Sequence, residues 1–191
     1  MSDLTIKHAG STVTTTSDTG LNKAAIIRVQ PTFSTDAYAQ GDVLFNQTEI
    51  PKAVRTKGGV SMLRAVYVLD EDDTEWDATF IFSEGSTNLG TINATADISM
   101  DNLISNKICG AVRIDGDIGS TTSFIDDARL LEAWPLGAGS DKAGSTRGGG
   151  MLLQAASDST SVYFTGVLVT NVTPTFTADS MQFIFHVEYL S

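Results

Sequence analysis

Cysteine is almost missing from this 191-residue sequence: Cys109 stands alone, so no intrachain disulfide can form. It sits in the alternating run KICGAVRI, a pattern that predicts a buried structural thiol. Histidine occurs twice, as His8 and His186. Metal ligation through Cys and His therefore fails on numbers. Nucleophilic catalysis is equally short of parts. There is no G-x-S-x-G, His8 lies in a polar N-terminal stretch, and His186 falls on the polar side of an alternating run. Basic residues are also scarce: 12 Lys and Arg face 23 Asp and Glu, a net charge of −11 with a pI near 4.4. That balance weighs against nucleic acid and anionic membrane as partners, because both require local positive charge. No apolar run approaches the length of a bilayer span. The start, MSDLTIKHAG, has no basic region followed by an apolar one, so no secretory signal is expected. Synthesis in a reducing cytoplasm follows, and the sequons at Asn46, Asn93 and Asn171 then mean only that their threonines suit strands and turns.

What is present is β pattern. Hydrophobic residues make up 41% of the chain, enough for a sizeable core in a single domain. AAIIRV is short, apolar and stopped by Pro31. MLRAVYVL is a longer β-branched and aromatic run. ATFIF puts Ala78, Phe80 and Phe82 on one side, and ICGAVRI does the same with Ile108, Val112 and Ile114. SVYFTGVLVT reads as a strand with a bulge or bend at Gly166. In MQFIFHVEYL the period of two is cleanest: Met181, Phe183, Phe185, Val187 and Tyr189 point one way, Gln182, His186 and Glu188 the other. Only TSFIDDARLLEAW, residues 122–134, hints at a helical turn, and its second half suits a strand equally well. Many strands separated by Gly, Asp, Asn and Ser clusters predict an all-β, antiparallel β-sandwich. Residues 1–20 hold nine Ser or Thr and few large apolar side chains, so they are expected as an extended N-terminal arm, ordered only by a neighbour. Residues 21–191 form the sandwich domain.

The densest charge lies in LDEDDTEWDATFIF, with six carboxylates in the eight positions Asp70 to Asp77. A calcium-loop register can be started at Asp73, with Glu75 and Asp77 at positions three and five and Glu84 at twelve. It fails at position six, where Ala78 replaces the glycine needed for the sharp turn. The following residues alternate like a strand. The stretch therefore reads as a solvated connection between two strands, with Trp76 at its tip or covering a sheet end. Asp115 and Asp117, and Asp126 with Asp127, read as turn chemistry rather than as a glycosidase pair. GAGSDKAGSTRGGG, residues 137–150, reads as a long mobile loop. It is no phosphate loop, since Ser145 stands where Lys is required. Neither a metal nor an organic cofactor is expected.

Two stretches are candidate partner contacts. The arm's Thr12, Thr14, Thr15 and Thr16 suit extended pairing with another chain. PKAVRTKGG concentrates Lys52, Arg55 and Lys57, which read as solvated loop charges able to meet a partner.

With the strands placed, AYAQGDVLF (37–45), AVRTKGG (53–59), VYVLDEDD leading into ATFIF, GVLVT (166–170) and TPTFTADSMQFIF (173–185) resemble a large family of tailed-bacteriophage virion proteins. The match runs in order from residue 24 to 190, with departures in the acidic 70–77 stretch, the 137–150 loop and the Thr-rich arm. The resemblance implies a jelly-roll-like sandwich on the virion. It also implies capsid decoration, or cement, as the role, the major capsid protein as partner, and a homo-oligomer with a trimer favoured. In this setting Tyr38 with Gly41 and Asp42 reads as an aromatic anchor before a tight turn into a strand. Gly58–Gly59 would turn the chain into the strand at 61, and Pro174 would end one strand before Met181 begins the next. The expected function is a non-enzymatic virion structural protein on the outer capsid surface. The alternatives are a tail, baseplate or fibre component, or a carbohydrate-binding module stacking sugar on Trp76, Trp134 or Tyr163.

Overall fold

The fold was read from a computed structural model, which describes residues 4–8, 11–15, 23–72, 74–114, 122–125, 128–133 and 150–190. Among the described residues, twelve strands and one short helix follow in chain order: β1 (Leu4–His8), β2 (Ser11–Thr15), β3 (Ala24–Val29), β4 (Val43–Ile50), β5 (Val60–Asp70), β6 (Ala78–Ser83), α1 (Met100–Asn106), β7 (Ile108–Ile114), β8 (Thr122–Ile125), β9 (Ala128–Ala133), β10 (Met151–Gln154), β11 (Val162–Leu168) and β12 (Met181–Tyr189).

One sheet has the order β3-β12-β5-β9-β8, with β10 beside the first half of β5; the other has the order β4-β11-β6-β7. The antiparallel pairs are nested. β3 pairs with β12, β4 with β11, β5 with β9 and β10, and β6 with β7. First meets last, second meets next to last, and so inward: a long antiparallel ribbon wrapped into two sheets, which is the jelly-roll topology. The all-β antiparallel sandwich expected from strand pattern is the fold found.

Period-two residues meet between the sheets. Phe183 and Phe185 of β12 and Val66 and Val68 of β5 pack inward against Phe45 of β4, Phe80 and Phe82 of β6, and Phe164 of β11. The rings stand edge to face: Phe80–Phe183 at 5.0 Å between centroids, Phe45–Phe164 at 5.0 Å and Phe164–Phe183 at 5.2 Å. That arrangement sets positive ring edges against negative faces. Gly166 makes the packing possible. A Cβ there would lie 2.9 Å from the Phe80 ring, and the β4–β11 register shifts on both sides of it. The bulge expected at Gly166 is present.

Four local expectations need correction. Residues 122–125 are a strand, not a helical turn, and 128–133 take the strand alternative left open for them, because pairing Leu131 against Val68 buries it in the shared core. The helix lies instead at 100–106, where Ser99 Oγ accepts from Asn102 N at 3.1 Å and Lys107 closes the end in the left-handed region. Pro174 does not end a strand: β11 stops at Leu168, and the Pro174 carbonyl accepts from Tyr38 N at 2.9 Å. Cys109 is half-buried rather than buried. Its Sγ faces the Gln154 carbonyl at 3.7 Å, and burial pushes its thiol pKa up.

The N-terminal segment is not one extended run. β1 and β2 pair antiparallel from Leu4↔Thr15 to His8↔Ser11, a two-stranded sheet hydrogen-bonded to neither large sheet. The glycine-rich 137–149 stretch, the Asp115/Asp117 and Asp126/Asp127 turns and Trp134 lie outside the described residues.

Candidate functional site

β5 is the longest strand, 11 residues, and a charge-rich connection lies at each of its ends. Before it comes the 51–59 loop with Lys52, Arg55 and Lys57. After it comes the 71–77 connection with its carboxylates. These are the two places where sequence pattern concentrates charge, and the structure treats them differently.

The acidic connection is tied down. Asp70, at the end of β5, is fully buried and accepts Trp76 Nε1–H at 2.9 Å through Oδ2 and Asp72 N–H at 3.0 Å through Oδ1. Burial raises its carboxyl above the ordinary 3.8, opposed by those two hydrogen bonds and by the neighbouring Arg129 guanidinium. Asp72 Oδ2 accepts Thr177 N–H at 2.8 Å and the Ser180 hydroxyl, which fastens the β11–β12 connection to this end. Asp77, half-buried, lies 3.7 Å from Arg113. Trp76 is 2% exposed, packed edge-on against Phe80 and Phe176. The reading of this stretch as a wholly solvated connection with Trp76 at its tip is therefore corrected. Asp70 and Trp76 belong to the core, and Glu71 and Glu75 reach water. Asp73, the start of the calcium register, lies outside the described residues, and the register's positions six to ten run along β6.

The same end carries an aromatic floor. Tyr38 is completely buried. Its hydroxyl donates to Leu44 O at 2.8 Å and accepts from Ser34 N at 2.7 Å, and burial pushes its pKa up to about 12. Above the floor is an open polar cleft of about 420 Å³ lined by Thr35, Asp72, Thr74, Thr175, Phe176 and Thr177. Phe176 is 3% exposed, so the cleft offers hydroxyls and one carboxylate but no open aromatic ring for a sugar. Trp76 is equally closed to stacking.

The basic loop is held by its backbone and leaves its charges in water. Ala53 and Val54 are buried, while Lys52, Arg55 and Lys57 are exposed. Val54 N donates to Thr160 O at 3.0 Å, Gly58 N to Ala156 O at 3.0 Å, and the Tyr189 hydroxyl to Lys52 O at 2.9 Å. Gly58 has φ +68°, and its Cα would carry a Cβ 3.2 Å from Ser157, so the turn expected at Gly58–Gly59 does need glycine. Burial raises the Tyr189 phenol pKa, with Arg55 working against it.

Sequence reasoning missed Lys23. It joins this end because Tyr189 N donates to Lys23 O at 2.7 Å, a long-range contact that no local pattern announces. Of the arm's candidate residues, Thr12, Thr14 and Thr15 lie on β2, and Thr16 lies outside the described residues. Among the described strands, β2 pairs with β1 alone.

His186 is on the outer face of β12, which is an interior strand, not an edge. Its ring lies 5.1 Å from that of Tyr67. With Ile26, Arg64 and Glu188 it lines an open groove of about 560 Å³, and among the described residues no Ser, Thr or Cys lines that groove. Arg64 and Glu188 form an exposed ion pair across it. Among the described residues no three His, Cys, Asp or Glu side chains are grouped to hold a metal, and no helix is long and apolar enough to cross a membrane. Compared with family models, curated proteins and solved structures, the chain matches none.

Proposed function

We propose that this chain is a tailed-phage virion structural protein: a capsid decoration subunit that binds the major capsid protein on the outer surface of the shell and stabilises it. The observation that carries the reading is the coincidence of ordered sequence resemblance with topology. The resembling segments, in order, make β4, the 51–59 loop, β5 with β6, the second half of β11 and β12, which are successive parts of one jelly roll. Two further features support it. The N-terminal hairpin belongs to neither sheet, which suits an attachment element, and the three cations of the basic loop face water on a pinned backbone. The role is non-enzymatic. The subunit is made in the host cytoplasm and assembles as a homo-oligomer, a trimer favoured, so that weak contacts multiply into firm attachment. A ligand or neighbour that binds only the native shell stabilises it by mass action, which is the physical content of cementing.

Within the same reading, the contacts with the shell are Thr12, Thr14, Thr15 and Thr16 of the arm, with Lys52, Arg55 and Lys57 as a second contact. Deleting residues 1–20 is expected to leave the sandwich folded and to weaken co-sedimentation with undecorated particles strongly. Equal binding by full-length and truncated protein would remove the arm from the attachment role. Failure of the full-length protein to bind any shell would point to a tail, baseplate or fibre position.

A further inference from the structure

The sandwich is electrically polarised along β5. At the β5 start, Lys23, Lys52, Arg55 and Lys57 are exposed together. Backbone bonds from Tyr189 to Lys23 and from its hydroxyl to Lys52 hold two of them to the same strand end. Two exposed carboxylates lie nearby, Asp158 on the adjoining loop and Glu49, which accepts from the Ser161 hydroxyl at 2.5 Å, so the four cations outnumber the anions at this end. At the β5 end, Asp36, Glu71, Glu75 and Asp179 are exposed, and the exposed Arg28 near the end of β3 offsets them only in part. Glu71 N donates to Ser180 O at 3.1 Å, and the Thr32 hydroxyl donates to Asp179 Oδ1 at 3.2 Å, so three connections share this end. The 11 residues of β5, at about 3.3 Å each, separate the two ends by roughly 35 Å. That is several Debye lengths at physiological salt, where the screening distance is about 8 Å. The two ends therefore do not neutralise one another within one molecule. Each presents its own field to an approaching partner.

We propose that these ends are complementary docking surfaces for successive copies of this chain, the basic end of one meeting the acidic end of the next. The complementarity is heterologous: the two patches are different, so the contact does not form a two-fold dimer. It generates a closed ring or an open string according to the angle between copies. Both patches are preformed. Arg55 and Lys57 stand on a loop with Ala53 and Val54 buried beneath them. Glu71 and Glu75 flank the Asp70–Trp76 and Asp72–Ser180 anchors. Little loop ordering is then required on association, which favours a salt-sensitive contact between rigid surfaces. This inference goes beyond attachment to a shell: it gives Lys52, Arg55 and Lys57 to the next copy and leaves the arm as the contact with the shell.

The test is sedimentation of the purified full chain at about 0.01 M and about 1 M monovalent salt, where the screening length falls from about 30 Å to about 3 Å. The average mass should be larger at low salt and fall at high salt. Arg55→Glu with Lys57→Glu should abolish the salt-sensitive fraction, and so should Glu71→Lys with Glu75→Lys, each with an unchanged circular dichroism spectrum. The decisive arm is the mixture. One variant carries two acidic ends and the other two basic ends, so mixing them should restore the association that each has lost. Salt-independent mass, or association that survives either charge reversal, would overturn the proposal and point to the apolar groove at Ile26 instead. So would two associating-deficient variants that fail to rescue one another.

Discussion

The 51–59 and 71–77 connections begin and end the same strand, and both are crowded with charge, yet one is anchored through its charged side chains and the other around them. In 71–77, Trp76 turns into the core and takes the Asp70 carboxylate with it as hydrogen-bond partner, while Asp72 fastens the β11–β12 connection. In 51–59, two small apolar residues, Ala53 and Val54, fill the space, and main-chain bonds make the attachments, so every cation stays in water. The difference teaches that charge density does not set burial. A connection sinks as far as its largest apolar side chain pulls it, and a carboxylate follows only where donors are waiting to replace water.

The largest expected effect tests that statement directly. Trp76→Ala should destabilise the protein by about 3–5 kcal/mol in chemical denaturation, from lost transfer energy plus a cavity beside Phe80 and Phe176. A loss near that of a surface substitution would erase the distinction between the two loops. Next is Asp72→Ala, which leaves Thr177 N–H and the Ser180 hydroxyl without their acceptor; a loss of about 1–3 kcal/mol is expected by the same measurement.

The third prediction concerns pH. Burial raises the Asp70 carboxyl in the folded state above its ordinary 3.8, so the folded chain holds this proton more tightly than the unfolded one. This group therefore favours folding most when protonated. Its contribution falls as pH rises from about the ordinary carboxylate value through the raised folded pKa, and is flat above. Stability curves of wild type and Asp70→Asn, measured from acid to neutral pH, should differ by a term of that sign. A difference that grows with pH would mean that the Trp76 and Asp72 bonds and Arg129 outweigh desolvation.

The smallest effect belongs to the basic loop. Arg55→Ala with Lys57→Ala should change unfolding stability by no more than about 0.5 kcal/mol per residue, because neither side chain is anchored in the fold. A clear loss would show that these cations have intramolecular work and would weaken their assignment to a partner.

By itself the sequence determined the strands and which way they face. Alternation in 181–187, 78–82 and 112–114 needs only the two-residue repeat of a strand and the preference of Phe, Val and Ile for the dry side, and the pattern selects the buried residues there; it fails at the strand ends, where Ile108 and Tyr189 are half-buried and Ser83 is buried. The bulge at Gly166 and the turn at Gly58 were legible for the same local reason: a missing Cβ permits close approach or positive φ. The tertiary structure alone decided the rest. The nesting of strands into a jelly roll, the strand state of 122–125, the burial of Asp70 and Trp76, the recruitment of Lys23 to the basic end and the separation of opposite charges along β5 all depend on residues far apart in the chain. Local pattern specifies which face of a segment avoids water; it holds no record of which distant segment will supply the cover, the donor or the counter-charge.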